Sequence, residues 1–196
     1  MVAAPGWQRF DDDAETPAFS EPYLLSVGGL TPRKGYDVLA RAVAQLGNDC
    51  PAVTVVGPDW WRADEVRAEV NTIANGKVQF AGAVSDAALA GLYRGATAFV
   101  FPSRAEGFGM PVLEAMGHGL PVVASNLASL REITAGSAVL VPPDDADALA
   151  HGIRRALGAD AAELGAAAAV RAAHYSWQQM ADNVVSAYHL AVHPTR

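Results

Sequence analysis

The segment Phe101-Pro102-Ser103-Arg104-Ala105-Glu106-Gly107-Phe108-Gly109-Met110-Pro111-Val112-Leu113-Glu114-Ala115-Met116-Gly117-His118-Gly119-Leu120-Pro121 joins a strand to a helix through a glycine-rich turn. The run Ala98-Phe99-Val100-Phe101 leading into it is apolar throughout, as strands buried on both faces are. Gly107 and Gly109 open the turn, and Pro111 falls where a helix's first N–H groups have no partner to lose. Leu120-Pro121-Val122-Val123-Ala124 then reads as strand again. A strand, a helix and a second strand in this order are the crossover unit of a parallel sheet.

The same alternation extends in both directions. Apolar runs predict further strands at Tyr23–Val27, Ala52–Val56, Val78–Gly82 and Ala138–Val141. Helical spacing predicts a helix from about Arg33, with Tyr36, Leu39, Val43 and Leu46 inward, and another with Val66, Val70 and Ile73. Ser85 and Asp86 start a short helix carrying Leu89, Leu92 and Tyr93, and a further short one covers about 128–134. Asp144 or Asp145 caps a helix with Leu149, Ile153 and Leu157 on one face, and an alanine-rich helix follows near 160–173. Ser176 and Gln179 form a capping box for a last helix, in which Trp177, Met180, Val184 and Tyr188 are expected as a buried stripe. The expected fold class is therefore α/β, a doubly wound parallel six-stranded sheet with C-terminal helices. Such sheets bind ligands beyond the carboxyl ends of their strands, which places Gly28-Gly29, Gly57-Pro58, Gly82-Ala83 and Ser103 to Gly109 on one rim.

Composition narrows the classes. In 196 residues, an apolar fraction of 51% against 18% charged describes a chain with a proper core. A formal charge of −7 leaves no basic footprint for nucleic acid, so an anionic ligand must be held by a local site. Cys50 is alone, which excludes an internal disulfide framework and a cysteine metal cluster. No apolar run approaches the roughly 18 residues of a spanning helix, and Met1 to Gly6 lacks a signal peptide's regions, so a cytoplasmic location is expected. Residues 1–21, with Pro5, Gly6, Pro17 and the Asp11-Asp12-Asp13 run, read as a linker entering a domain over 22–196.

The rim residues suggest chemistry. A helix beginning near Gly109 or Met110 offers unpaired N–H groups and a dipole to a phosphate or a sugar oxygen. Glu106 and Glu114 suit polyol hydroxyls, although their spacing alone reads equally as two solvated charges. Arg33 and Lys34 on a glycine-rich rim suit a doubly charged anion. His118 is expected to pack or cap rather than catalyse, and His151, His174, His189 and His193 lack metal spacing. Trp60 and Trp61 are expected in core or interface packing. Gly28 to Gly35 is neither a dinucleotide fingerprint nor a P-loop.

Pro102-Ser103, two residues, then Glu106-Gly107-Phe108-Gly109 and a second glutamate after seven intervening residues resembles the E-x7-E signature of family 4 glycosyltransferases. Tyr23 to Gly35 resembles that family's first strand, glycine turn and basic pair, Val78 to Gly82 its V-x-F-x-G segment, and Gly119 to Ser125 its G-x-P-V-V-A-S strand. Glu132 resembles the acidic residue in the following helix, and Tyr175-Ser176-Trp177 the entry to the last one. Val2 to Phe10 resembles the segment leaving the acceptor domain. The resemblance implies the Rossmann-like, donor-binding half of a two-domain GT-B enzyme, with the N-terminal acceptor domain as its missing partner.

It implies retaining transfer of a hexose from a UDP- or GDP-sugar, without a cofactor or obligatory metal. Lys34, with Arg33 beside it, would contact the diphosphate. Glu106 would hold sugar hydroxyls, and these three residues would carry the catalytic role. Gly28, Gly29, Gly107, Phe108, Gly109 and Met110 would line the donor, Glu114 would bind the ribose, and the backbone of Ala83 and Val84 would meet the base. Many members carry arginine where this chain has Gly29, and Arg104 lies in a variable position of the motif. The parent enzyme would contact a membrane at most peripherally, and this chain alone would bind nucleotide sugar without turnover. The alternative implied is a stand-alone nucleotide-sugar-binding or regulatory module working with a separate chain.

Overall fold

In a computed structural model that describes residues 4–7 and 21–192, the six apolar runs form a single parallel sheet. Its strands are β1 (Tyr23–Val27), β2 (Ala52–Val56), β3 (Val78–Gly82), β4 (Ala98–Phe101), β5 (Val122–Ser125) and β6 (Val139–Val141), in the order 3-2-1-4-5-6. The register pairs Leu24 with both Val53 and Ala98, and Phe99 with Val122. The chain builds outward from β1 in one direction, then returns to β4 and builds in the other. The point of reversal lies between β1 and β4, where doubly wound sheets open a crevice.

Side chains alternate across the sheet into two cores. Leu24, Val53, Val55, Val100 and Val123 point to one face, under α1 (Tyr36–Leu46), α2 (Ala63–Ala74) and α6 (Ala146–Ala156). Tyr23, Leu25, Phe99, Phe101 and Val122 point to the other, under α3 (Asp86–Gly95), α4 (Met110–Gly117), α5 (Ala128–Thr134) and α7 (Ala161–Ala172). Both strands flanking the crevice are thus buried on each side, which fixes the loops at their carboxyl ends.

Local chemistry accounts for the helix starts. Ser85 Oγ accepts from Ala88 N at 3.1 Å to begin α3, and Asp145 Oδ1 accepts from Ala148 N at 2.8 Å to begin α6. Asp145 is therefore the cap; Asp144 stands before it in a left-handed conformation at φ 62°. Residues 4–7 dock on the far end of the molecule. Trp7 Nε1 donates to Ala172 O at 2.9 Å, and its ring lies where a side chain on Gly117 would stand.

Several expectations are corrected. The helix expected from about Arg33 begins at Tyr36, because Pro32–Lys34 forms a separate 3₁₀ turn ended by Gly35 at φ 68°. A side chain on Gly35 would strike the carbonyl of Pro102, so only glycine allows the turn to approach β4 so closely. The fifth strand starts at Val122 rather than Leu120, and the sixth at Val139 rather than Ala138. Pro121 precedes the strand because it has no N–H to give, and only its carbonyl pairs, accepting from Phe99 N at 2.9 Å.

The last helix, α8 (Trp177–Val192), has no buried residue: Trp177 is 52% and Tyr188 69% exposed, with Met180 and Val184 half-buried. The apolar spacing does form a helix, but that helix finds no surface to cover among the described residues. Its capping box is half formed, since Gln179 N donates to Ser176 Oγ at 3.1 Å while the glutamine side chain turns to Asn183. Trp60 and Trp61 are not core residues either; they stand 57% and 71% exposed after β2.

Candidate active site at the β1–β4 crevice

The crevice is built from two turns. After β1, Gly28 carries no side chain because Lys34 passes beneath it, with Cε 2.7 Å from where a Cβ would stand. Tyr36 Oη donates to Gly28 O at 2.8 Å, tying this turn to the first residue of α1. Gly29 is covered by the Trp60 indole, whose Cδ2 would lie 2.7 Å from a Cβ there. The chain therefore has an aromatic face against the position where an arginine was noted in the resemblance.

After β4, residues 103–109 wrap back toward the first turn. Glu106 Oε1 accepts from Lys34 Nζ at 2.8 Å and from Arg33 Nη1 at 3.0 Å. Lys34 is 6% exposed and its ammonium lies 4.6 Å from the centroid of the Phe101 ring. Arg33 Nη1 also donates to Ala105 O, and Ser129 Oγ of α5 donates to Glu106 O at 3.2 Å. A buried lysine held by one carboxylate and an aromatic face is costly unless paired, so the pair and its geometry are interdependent. The three residues expected to carry the chemistry, Lys34, Arg33 and Glu106, thus meet in one cluster, although 72 positions separate Lys34 from Glu106.

Gly109 stands at φ 106° as the residue before α4, and Met110 and Pro111 open the helix. A side chain on Gly109 would collide with Leu130 of α5, which is why the α4 N-terminus can be packed so tightly behind the turn. Gly107 is exposed with open space around it. Phe108 leans away from the crevice onto Tyr175, edge to face, with centroids 6.1 Å apart. Pro111 has no N–H, and Val112 and Leu113 donate to Gly109 O at 2.9 and 3.3 Å, which leaves Met110 N–H at the start of α4 as a donor suited to anionic or polyol oxygen.

Glu114 lies one turn further along α4 and points toward α3. Tyr93 Oη donates to Glu114 Oε2 at 2.8 Å. Burial pushes the Glu114 carboxyl above its ordinary value, the Tyr93 hydrogen bond opposes that shift, and Asp86 adds to it. Tyr93 itself is held well above the usual phenol range, by burial first and then by the Glu114 charge. Glu106 and Glu114 are therefore not an equivalent pair. The first is paired with two cations; the second is half-buried and accepts a hydrogen bond from Tyr93. Ala83, exposed, and Val84, half-buried, follow β3 at φ 70° of Gly82 on the same rim.

His118 packs and caps as expected. Its ring is stacked on Tyr93, centroids 5.1 Å apart, and its Nδ1 lies 2.9 Å from Glu114 O. Among the described residues, no group of three or more His, Cys, Asp or Glu side chains could hold a metal ion, and no helix is long and apolar enough to cross a membrane.

Sequence reasoning missed the partners. Tyr93 was assigned to the core of its helix, yet its hydroxyl reaches the site residue Glu114. Arg104 was set aside because its place in the motif varies, yet it makes more polar contacts than any residue of the turn. Asp37, in the first turn of α1, receives both arms of that guanidinium. Burial pushes the Asp37 carboxyl up, but the hydrogen bonds and charges of Arg104 and Arg41 outweigh it and hold the group below its ordinary value. The signal available was an acidic residue one position into a helix beside two basic ones, which charge counting alone does not resolve.

Known proteins share this fold and much of this sequence. Residues 21–159 match the family model described as glycosyl transferases group 1. The chain is 33% identical over 174 residues to O-antigen chain mannosyltransferase B of Escherichia coli, covering 86% of this chain and 46% of that protein. Among solved structures, sucrose-phosphate synthase from Thermosynechococcus elongatus superposes with a TM-score of 0.76 at 32% identity, covering 88% of this chain and 46% of that one. Anabaena Alr3699/HepE, solved in complex with UDP and glucose, superposes at 0.77 with 21% identity over 85% of this chain and 47% of its own, a likeness of fold. The chain spans about half the length of the relatives it matches. A six-stranded parallel sheet of GT-B type, with a cation-paired glutamate at its crevice and a family match across it, places this chain in the group 1 glycosyl transferases.

Proposed function

We propose that this chain is the donor-binding half of a retaining glycosyltransferase that moves a hexose from a nucleoside diphosphate sugar to an acceptor hydroxyl. The observation that carries the reading is the Lys34–Arg33–Glu106 cluster at the β1–β4 crevice, with Lys34 Nζ and Arg33 Nη1 at 2.8 and 3.0 Å from one carboxylate oxygen. Two cations beside a helix N-terminus can take the charge that a leaving diphosphate develops, and a carboxylate among them orients sugar hydroxyls. In this reading Lys34 and Arg33 compensate that charge. Glu114, whose carboxyl burial pushes up, would accept from the ribose hydroxyls, and the backbone at Ala83 and Val84 would border the base.

In the transfer, the bond from the anomeric carbon to the diphosphate oxygen breaks and its electron pair stays with the diphosphate. The acceptor oxygen bonds to the same face of that carbon, and its proton passes to the departing phosphate. The acceptor has to be presented from the side of the crevice opposite Glu106. The 196 residues tested alone therefore bind donor and give no turnover, and the acceptor side belongs to a second domain.

The test is thermal unfolding in the presence of UDP, GDP and ADP and of the corresponding sugars. One nucleotide diphosphate is expected to raise the melting temperature by the amount its occupancy sets, roughly 2.7 kcal/mol of stabilisation at a hundredfold excess over its dissociation constant. Glu114→Ala should lose most of that rise. Equal stabilisation of both forms removes the ribose assignment, and no rise with any nucleotide removes the donor-site reading.

A further inference from the structure

Arg104 ties together three loops that share no sequence neighbourhood. Its backbone N–H donates to Arg33 O at 2.8 Å. Nη1 donates to Pro32 O and to Asp37 Oδ1 at 2.8 Å, Nη2 to Asp37 Oδ2 at 2.8 Å, and Nε to Asp144 Oδ1 at 2.6 Å. The turn after β4 is thereby fastened to the turn after β1 and to the loop after β6. The two-armed contact to Asp37 fixes orientation as well as distance, which a point charge does not.

The turn needs such a hold. Pro32–Lys34 is a single 3₁₀ turn, and its only buried residue is Lys34. On its outer side lies a concavity of about 370 Å³ bordered by Pro32, Arg33, Asp37, Arg62 and Arg104. Packing therefore holds the turn on the crevice side only, and the open side offers room for it to relax outward. The Arg104 guanidinium spans that side, gripping the Pro32 carbonyl ahead of the cations and the Asp37 carboxylate behind them.

We propose that Arg104 is a positioning residue: through Asp37, Asp144 and the carbonyls of Pro32 and Arg33 it sets where Lys34 and Arg33 stand against Glu106, and so sets affinity for the diphosphate of the donor. The proposal rests on the reading that those two cations hold that diphosphate. Arg104 directs each of its three side-chain nitrogens at a protein oxygen. Its loss lets the turn drift outward, so the penalty falls on the phosphate that Lys34 and Arg33 would meet and not on the nucleoside held by Glu114 and the loop after β3.

The test separates these two parts of the ligand. Affinities of UDP against UMP, and of GDP against GMP, are measured by calorimetry for the wild type, Arg104→Ala, Arg104→Lys and Arg155→Ala. Arg155 serves as the control because its guanidinium pairs with Asp160 between α6 and α7 and touches no residue of the crevice. In Arg104→Ala the preference for diphosphate over monophosphate should fall by about tenfold or more, the scale of one lost charge-assisted hydrogen bond. Arg104→Lys, which keeps the charge without the fork, should fall between, and Arg155→Ala should keep the wild-type preference whatever it loses in melting temperature. A preference unchanged in both Arg104 variants overturns the proposal, and if the alanine variant does not fold the lysine variant alone decides it. A wild type with no preference for either diphosphate overturns the donor reading itself, a result separable from the first because it appears before any substitution is made.

Discussion

At the scale of single residues, the site is defined by how differently its two glutamates are held. Glu106 accepts from Lys34 and Arg33, so its charge is compensated inside the fold. Glu114 is half-buried and bonded to Tyr93, with no ion pair to it among the described residues, and its carboxyl is pushed above the ordinary value. The sign of that shift matters. A carboxyl whose native value is raised binds its proton more tightly folded than unfolded, so it costs stability once the pH rises through the interval between the two values. Glu114→Gln removes the charge, keeps an oxygen for the Tyr93 hydroxyl, and is expected to melt at neutral pH no lower than the wild type. The difference should shrink as pH falls below the ordinary glutamate value, while nucleotide affinity at neutral pH drops about tenfold for the lost ionic acceptor. Melting curves over pH 4–8, paired with calorimetry, check both halves; a variant that melts well below the wild type at neutral pH contradicts the origin given for the shift. The motif showed that Glu106 and Glu114 share a rim, since both belong to one strand–turn–helix segment. It did not show their inequality, because Tyr93, Lys34 and Arg33 come from elements brought alongside only by the sheet.

At the scale of elements, hydrophobic spacing predicted where helices form but not what they cover. Leu149 and Ile153 of α6 are fully buried against the sheet, as three- and four-residue spacing implies. Trp177, Met180, Val184 and Tyr188 have the same spacing in α8 and are not buried. Periodicity reports an amphipathic helix, and whether a surface awaits it is a property of the rest of the fold. The strands were easier, because a parallel strand buried on both faces is apolar at every position and needs no partner to be recognised. The helix expected from about Arg33 begins later for a related reason: a glycine that reads as merely permissive in sequence is a contact point with Pro102. Substitutions should follow the packing rather than the pattern. Ile153→Ala is expected to cost about 2–5 kcal/mol, as a fully buried aliphatic does. Tyr188→Ala, at the same kind of helical position, should change stability by no more than about 0.5 kcal/mol. Denaturant midpoints of the two variants decide this, and a Tyr188→Ala loss comparable to that of Ile153→Ala would falsify the exposed assignment of α8.

At the scale of the whole molecule, one sheet is the common wall of two cores. Leu24, Val100 and Val123 belong to the core under α1, α2 and α6, while Leu25, Phe99 and Val122 belong to the core under α3, α4, α5 and α7. Adjacent residues of each central strand therefore serve opposite cores, and neither core can open while the other keeps its strands. The crevice loops hang from β1 and β4, two central strands with side chains buried in both cores. Site and cores should then be lost together, despite a length above that at which intermediates become common. Trp7 supplies an internal reporter for the second core, since its indole is seated against Gly117 and bonded to Ala172. Val100→Ala and Leu113→Ala remove buried side chains on opposite faces, and each is expected to shift a single unfolding transition. Tryptophan fluorescence and far-ultraviolet circular dichroism should give coincident midpoints in both variants and in the wild type. If Val100→Ala lowers the dichroism midpoint and leaves the fluorescence transition in place, the two faces unfold separately and the sheet does not couple them.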